Sequence, residues 1–178
     1  MDLSDKKILI IIAFDEFQDI EYREVRKVLE NDNAEITVAS SKAGQARGKL
    51  GNIVNIKETI YTISPKDYDT VIFIGGPGAE EYFENHRAYQ ICHETLNHKK
   101  ILAAICIAPV ILAKAGVLSH KKATVWSSAI DQSYVEQLKS NGVVYTGNTV
   151  EMDSKIITAS CPDASSDFAN KIISVLKE

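Results

Sequence analysis

The chain has 178 residues, of which 45% are hydrophobic and 25% charged, an ordinary globular composition that excludes disorder, collagen and coiled coil. Twenty basic against 24 acidic side chains leave a formal charge of −4, the wrong sign for a protein that binds nucleic acid through a basic face. Three cysteines, Cys92, Cys106 and Cys161, form no CxxC pair and suit thiols in a reducing compartment better than a disulfide framework or a zinc site.

The first apolar run, Ile8–Phe14, is far short of the ~20 residues that span a bilayer. A cytoplasmic protein with no membrane association is therefore expected. This run reads as a strand apolar on both faces. A helix follows over Ile20–Glu30, then a strand at Glu35–Ala39. Gly44–Gly51 carries three glycines and reads as a loop or hairpin, with a short edge strand within Ile53–Ile63. Tyr68–Ile74 is a buried strand ending in Gly75-Gly76-Pro77-Gly78, and Glu80–Leu96 reads as one helix. The strand Lys100–Cys106 runs almost directly into the helix Pro109–Ala115. Ala123–Trp126 reads as a strand, Ser133–Ser140 as a helix and Gly142–Tyr145 as a strand. Ile156–Ala159 is the last strand and Ser165–Leu176 the last helix. Repeated βα units with buried strands predict one domain over residues 1–178. Its fold class is α/β, a three-layer α/β/α sandwich around a mainly parallel sheet. In such sheets ligands bind beyond the carboxyl ends of the strands, so the candidate residues are those just after each strand.

Cys106 ends its strand, and Pro109 already lies in the first turn of the next helix, where its missing N–H costs nothing. A turn this sharp holds its residue in a strained conformation with the side chain projecting, the geometry of a nucleophile elbow. The adjacent helix end can lower a thiol pKa, and the Ile107 and Ala108 amides would face a developing oxyanion. A small buried hydrophobe at a strand end is the competing reading. Cys161 follows the last strand and can face the same end of the sheet, as a redox partner for Cys106. Cys92 lies mid-helix and reads as packing. The Gly75–Gly78 turn allows close backbone approach, yet lacks the Gly-Lys-Ser/Thr of a phosphate loop and the spacing of a dinucleotide site. Of Asp15, Glu16, Asp19 and Glu21, most read as solvated charges at a helix start. Glu21 sits between Ile20 and Tyr22 within the helical run and need not face water.

Taken together, FQDIEY at 17–22, KLGNIVNI at 49–56, FIGGPGAEEY at 73–82, AAICIAPVILAKAGVL at 103–118 and TASCPDASSDFA at 158–169 resemble the ThiJ/PfpI superfamily. That is a branch of the class I glutamine-amidotransferase-like folds, with a flavodoxin-like sandwich. The resemblance covers nearly the whole chain. It implies that Cys106 is the reactive cysteine, that the Glu21 carboxyl hydrogen-bonds its thiol, and that Gly76 and Ile107 supply oxyanion N–H groups. Gly75 and Trp126 would complete the pocket. The resemblance implies no cofactor and no metal, and a homodimer or higher homo-oligomer. Protease-like members carry a histidine directly after the cysteine, where Ile107 stands here. In another branch a histidine comes from the strand matched by ATVWSS, which offers Trp126 and Ser127. Glu80 matches a glutamate that completes the protease site from a neighbouring subunit, and without the histidine it reads as a helix N-terminal charge.

Three functions follow as expectations. The first is a cofactor-independent glyoxalase- or deglycase-type enzyme acting on small reactive carbonyls or their adducts through Cys106 and Glu21. The second is a non-enzymatic redox sensor or chaperone-like stress protein that responds to an oxidant through Cys106. The third, a cysteine protease or amidase, loses support through Ile107.

Overall fold

The computed structural model describes residues 2–178. Its main sheet has seven strands, built from β1 (Lys7–Ile11), β3 (Glu35–Ser40), β6 (Glu58–Thr59), β7 (Thr70–Phe73), β8 (Ile101–Ile105), β11 (Val150–Asp153) and β12 (Ile156–Ala159). They lie in the order β11-β12-β8-β7-β1-β3-β6. All neighbours pair parallel except β11 against β12. The central strands β7, β8 and β12 are buried at every position, as parallel strands covered on both faces must be.

Helices α1 (Asp19–Asn31) and α5 (Ser165–Leu176) pack on one another in one layer, while α2 (His86–Asn97), α3 (Pro109–Lys114) and α4 (Ser133–Ser140) form the other. This is the mainly parallel, flavodoxin-like α/β/α sandwich that the order of elements predicts. The core joins both layers through the sheet, with Ile8, Leu9, Ile10, Phe73, Leu102 and Phe168 among its wholly buried side chains.

A second, three-stranded sheet holds β2 (Asp15–Phe17), β4 (Gly44–Gly48) and β5 (Ile53–Ile56). Its antiparallel β4–β5 pair is the hairpin expected from the glycines. Asp19 fastens this hairpin to α1. It is buried and accepts hydrogen bonds from the Leu50 and Asn52 amides at 2.7 and 2.8 Å. The expectation of a solvated charge fails at this residue, because the hairpin's own N–H groups replace water.

Three other element boundaries differ from expectation. The helix expected over Glu80–Leu96 is a 3₁₀ segment, Pro77–Tyr82, followed by α2 from His86. Asn85 takes an extended conformation there, and its side chain accepts from the Ala88 amide at 3.0 Å, which starts a new helix rather than continuing the old one. The strand expected over Ala123–Trp126 is regular only at β9 (Lys122–Ala123), which pairs with β10 (Val144–Tyr145). Beyond it the Thr124 amide bonds to the Thr158 hydroxyl and the Trp126 amide to the Cys106 carbonyl, so no continuous ladder forms. The half-buried strand β11 has no counterpart among the predicted strands. No helix among the described residues is long and apolar enough to cross a membrane.

Candidate active site

Sheet register brings the candidate residues to one level. Phe73 pairs with both Ile11 and Ala104, and Ile105 pairs with Ala159. The chain leaving β1, β7, β8 and β12 therefore emerges on the same end of the sheet. That end holds Glu21 on α1, the Gly75-Gly76 turn, Cys106 and Cys161.

Cys106 has φ 61°, in the left-handed region that costs a non-glycine residue roughly 1–2 kcal/mol. This is the strained elbow that the short strand-to-helix turn predicts. Two backbone bonds hold it. Its amide donates to the Ala159 carbonyl at 2.9 Å and its carbonyl accepts from the Trp126 amide at 2.8 Å, while the Gly76 and Ile107 amides lie beside its sulfur. The side chain is 8% exposed, which is enough to open onto a cavity.

Glu21 is wholly buried. The Gly75 amide donates to its Oε2 at 2.9 Å, while Oε1 lacks a hydrogen-bond partner of ordinary geometry and the Cys106 thiol is its remaining polar neighbour. Burial pushes this carboxyl from 4.5 up to about 7, against the smaller opposing pulls of the Gly75 amide and the thiol. The thiol is also pushed up, by burial first and then by the Glu21 charge, with the Gly76 and Ile107 amides opposing. The lowered thiol pKa expected from the helix end is thus overturned. α3 has six residues and opens on a proline, so its end offers too little to offset burial beside a carboxylate.

The glycines serve this packing. A Cβ on Gly75 would lie 2.5 Å from the Cys106 Cβ and 2.9 Å from Glu21 Oε2. Gly76, at φ 102°, would meet the Gln18 amide nitrogen at 2.4 Å. The loop after β1 therefore touches the turn after β7 backbone to backbone.

The cavity over Cys106 has a volume of about 330 Å³. Gly76, Ile107 and Trp126 line it, whereas Gly75, expected there as well, does not and instead turns its amide to Glu21. Pro162 lines the cavity too, but its neighbour Cys161 does not, and that thiol is free, half-buried and 3.6 Å from the Ser160 hydroxyl. Cys92 is wholly buried in α2.

No histidine lines the cavity, and His93 instead contacts the Ala115 carbonyl at 2.8 Å. Two residues not anticipated here are Tyr134 and Asp131, and Gln18, Lys49 and Glu80 join them. Glu80 is thus more than a helix-start charge, since it accepts a hydrogen bond from the Tyr134 hydroxyl at 2.8 Å. The signal was the strand-end rule itself. The segment after Trp126 leaves the same end of the sheet, so its polar side chains were candidates. Among the described residues no group of three or more His, Cys, Asp or Glu side chains is placed to hold a metal ion.

Known proteins are similar to this chain over nearly all of its length. A protein-family model described as the DJ-1/PfpI family matches residues 6–175. An uncharacterized protein of Methanocaldococcus jannaschii is 34% identical over 178 residues, covering 99% of this chain and 85% of its own. The deglycase PfpI of Pyrococcus furiosus is 28% identical, with 96% of this chain and 99% of that one aligned. Among solved structures, a ThiJ/PfpI domain protein from Brachyspira murdochii superposes with a TM-score of 0.91 at 30% identity, covering 96% of each chain. A match of this extent, in sequence and in backbone, means that the chain belongs to the DJ-1/PfpI family.

Proposed function

We propose that this protein is a cofactor-independent enzyme of the glyoxalase or deglycase type, acting on small reactive carbonyls or their thiol and amine adducts. The observation that carries the reading is the strained Cys106 at the floor of the cavity, with two backbone amides and a buried carboxyl beside its sulfur. Relatives from Pyrococcus that bear the name deglycase support the same class.

The chemistry follows from the groups present. Cys106 Sγ attacks the carbonyl carbon as its proton passes to Glu21, whose pKa of about 7 suits a general base and acid near neutral pH. The C=O π pair becomes an oxyanion facing the Gly76 and Ile107 amides. Glu21 returns the proton to that oxygen, giving a hemithioacetal. With an amine adduct the proton goes instead to the departing nitrogen as its C–N bond breaks. For methylglyoxal, moving the C1 proton of the hemithioacetal to C2 yields a lactoyl thioester, which water cleaves to lactate and free thiol. The sequence is redox-neutral and needs no outside oxidant.

Lactate formation from methylglyoxal by the wild-type protein and by Cys106→Ala tests this reading. Turnover that disappears in the variant supports it, and turnover that persists overturns it.

The redox reading keeps one specific support. A Glu21 carboxyl that is still protonated can donate to an oxidised sulfur and hold it at the sulfinate stage. Intact mass after mild peroxide separates the outcomes, since a gain of two oxygens marks sulfinate and a loss of two hydrogens marks a Cys106–Cys161 disulfide.

A further inference from the structure

The polar groups of the cavity divide into donors and acceptors. Gly76, Ile107 and Gln18 line the cavity and carry N–H donors. The Gln18 Oε1 accepts from the Ile20 amide at 2.8 Å as the cap of α1. That bond fixes the orientation of the amide group, so its NH₂ is the end left to face the cavity.

A second cluster of lining residues is built around Tyr134. Its ring meets Trp126 and Phe83 edge to face, with centroids 6.0 and 6.2 Å apart. Its hydroxyl donates to Glu80 Oε1 at 2.8 Å. A phenol has one proton to donate, and here the carboxylate holds it. The phenol oxygen can then only accept. Asp131 lines the same cavity and, as a carboxylate, accepts as well. The phenol is pushed up to about 12, by burial first and then by its bond to Glu80, so it keeps its proton at neutral pH. Tyr134 and Cys106 line the same cavity.

We propose that Tyr134, with its proton committed to Glu80, is a specificity-determining residue that favours carbonyl substrates bearing an N–H or O–H beside the reacting carbon. The proposal deepens the carbonyl reading of this site and rests on it. A free dicarbonyl offers only acceptors and finds half of the pocket matched. A carbinol or amine adduct offers an acceptor to the amides and a donor to the phenol oxygen.

Two near-isosteric alkylating probes test this without turnover. Chloroacetamide carries an NH₂ where chloroacetone carries a methyl group. In both, the Cys106 sulfur displaces chloride from the CH₂ carbon and the thiol proton goes to buffer. Rates at Cys106 are followed by the mass of its peptide after digestion, so that the free Cys161 is counted separately, and are divided by those with N-acetylcysteine. The corrected chloroacetamide-to-chloroacetone ratio is expected to exceed one in the wild-type protein. Tyr134→Phe, which keeps the ring packing, is expected to lower it by about three- to tenfold, the usual worth of one hydrogen bond. Glu80→Ala frees the phenol proton to point into the cavity and is also expected to lower the ratio. A wild-type ratio at or below one, or a ratio unmoved by Tyr134→Phe, would overturn the proposal. Mere loosening of the pocket changes both rates together and leaves the ratio in place, which counts against it. Loss of the carbonyl reading itself would appear separately, as methylglyoxal turnover indifferent to Cys106→Ala.

Discussion

Replacing Glu21 by glutamine should remove a specific pH dependence from the folding equilibrium. In the unfolded chain this carboxyl ionises near 4.5, and in the folded protein near 7. Between those values the unfolded state has lost the proton and the folded state retains it, so stability falls as pH rises. The contribution is fully present below about pH 4.5 and is lost as pH passes through about 7. At about 1.4 kcal/mol per pH unit, the whole effect is about 3 kcal/mol, of which roughly 2–3 kcal/mol falls between pH 5 and pH 8. Glutamine keeps the shape and the acceptor for the Gly75 amide but carries no charge to bury. Urea unfolding of both proteins at pH 5 and pH 8 measures the quantity. The wild-type protein should lose roughly 2–3 kcal/mol more than Glu21→Gln over this interval. Parallel pH dependences in the two proteins would refute the argument that burial governs this carboxyl.

Three further outcomes are expected. Gly75→Ala forces a methyl group between the Cys106 Cβ and Glu21 Oε2, and it should cost about 1–3 kcal/mol in thermal or urea unfolding. Cys106→Gly should be more stable than Cys106→Ala by about 1 kcal/mol, because glycine takes φ 61° without strain; the reverse order would show that the elbow is unstrained. Asp19→Ala leaves the Leu50 and Asn52 amides without their acceptor. It should cost about 1–3 kcal/mol and speed hydrogen exchange at those two amides.

The sandwich was readable because its central strands carry near-continuous apolar runs, as in ILII and ILAAI, the pattern of parallel strands buried on both faces. The elbow was readable from the distance between Cys106 and Pro109. From the residues alone Glu21 was readable only as an acidic residue that need not face water, and its link to the thiol came from the family resemblance. Its partner Gly75 lies in the turn after β7, and sequence spacing says nothing of a contact spanning 54 positions. Tyr134 was covered only by the general strand-end rule, which does not single it out. The stretch that leads toward it, Thr124–Trp126, is held by single bonds to Thr158 and Cys106 rather than by a ladder with a periodic signature. The thiol pKa was misjudged because helix-end charge can be estimated from sequence, whereas burial beside a carboxylate cannot.

The Gly76 and Gln18 backbones interlock where the loop after β1 meets the turn after β7. Glu21, Gly75 and Cys106 come from separate stretches of chain, so no local segment carries the chemistry. Until β1, β7 and β8 have aligned, Cys106 is an ordinary thiol with neither carboxyl nor amides near it. The surroundings of Cys106 are thus acquired only with the assembled sheet. A newly made or partly unfolded chain presents only the background chemistry of free cysteine, and the site reports on the integrity of the sheet that assembles it.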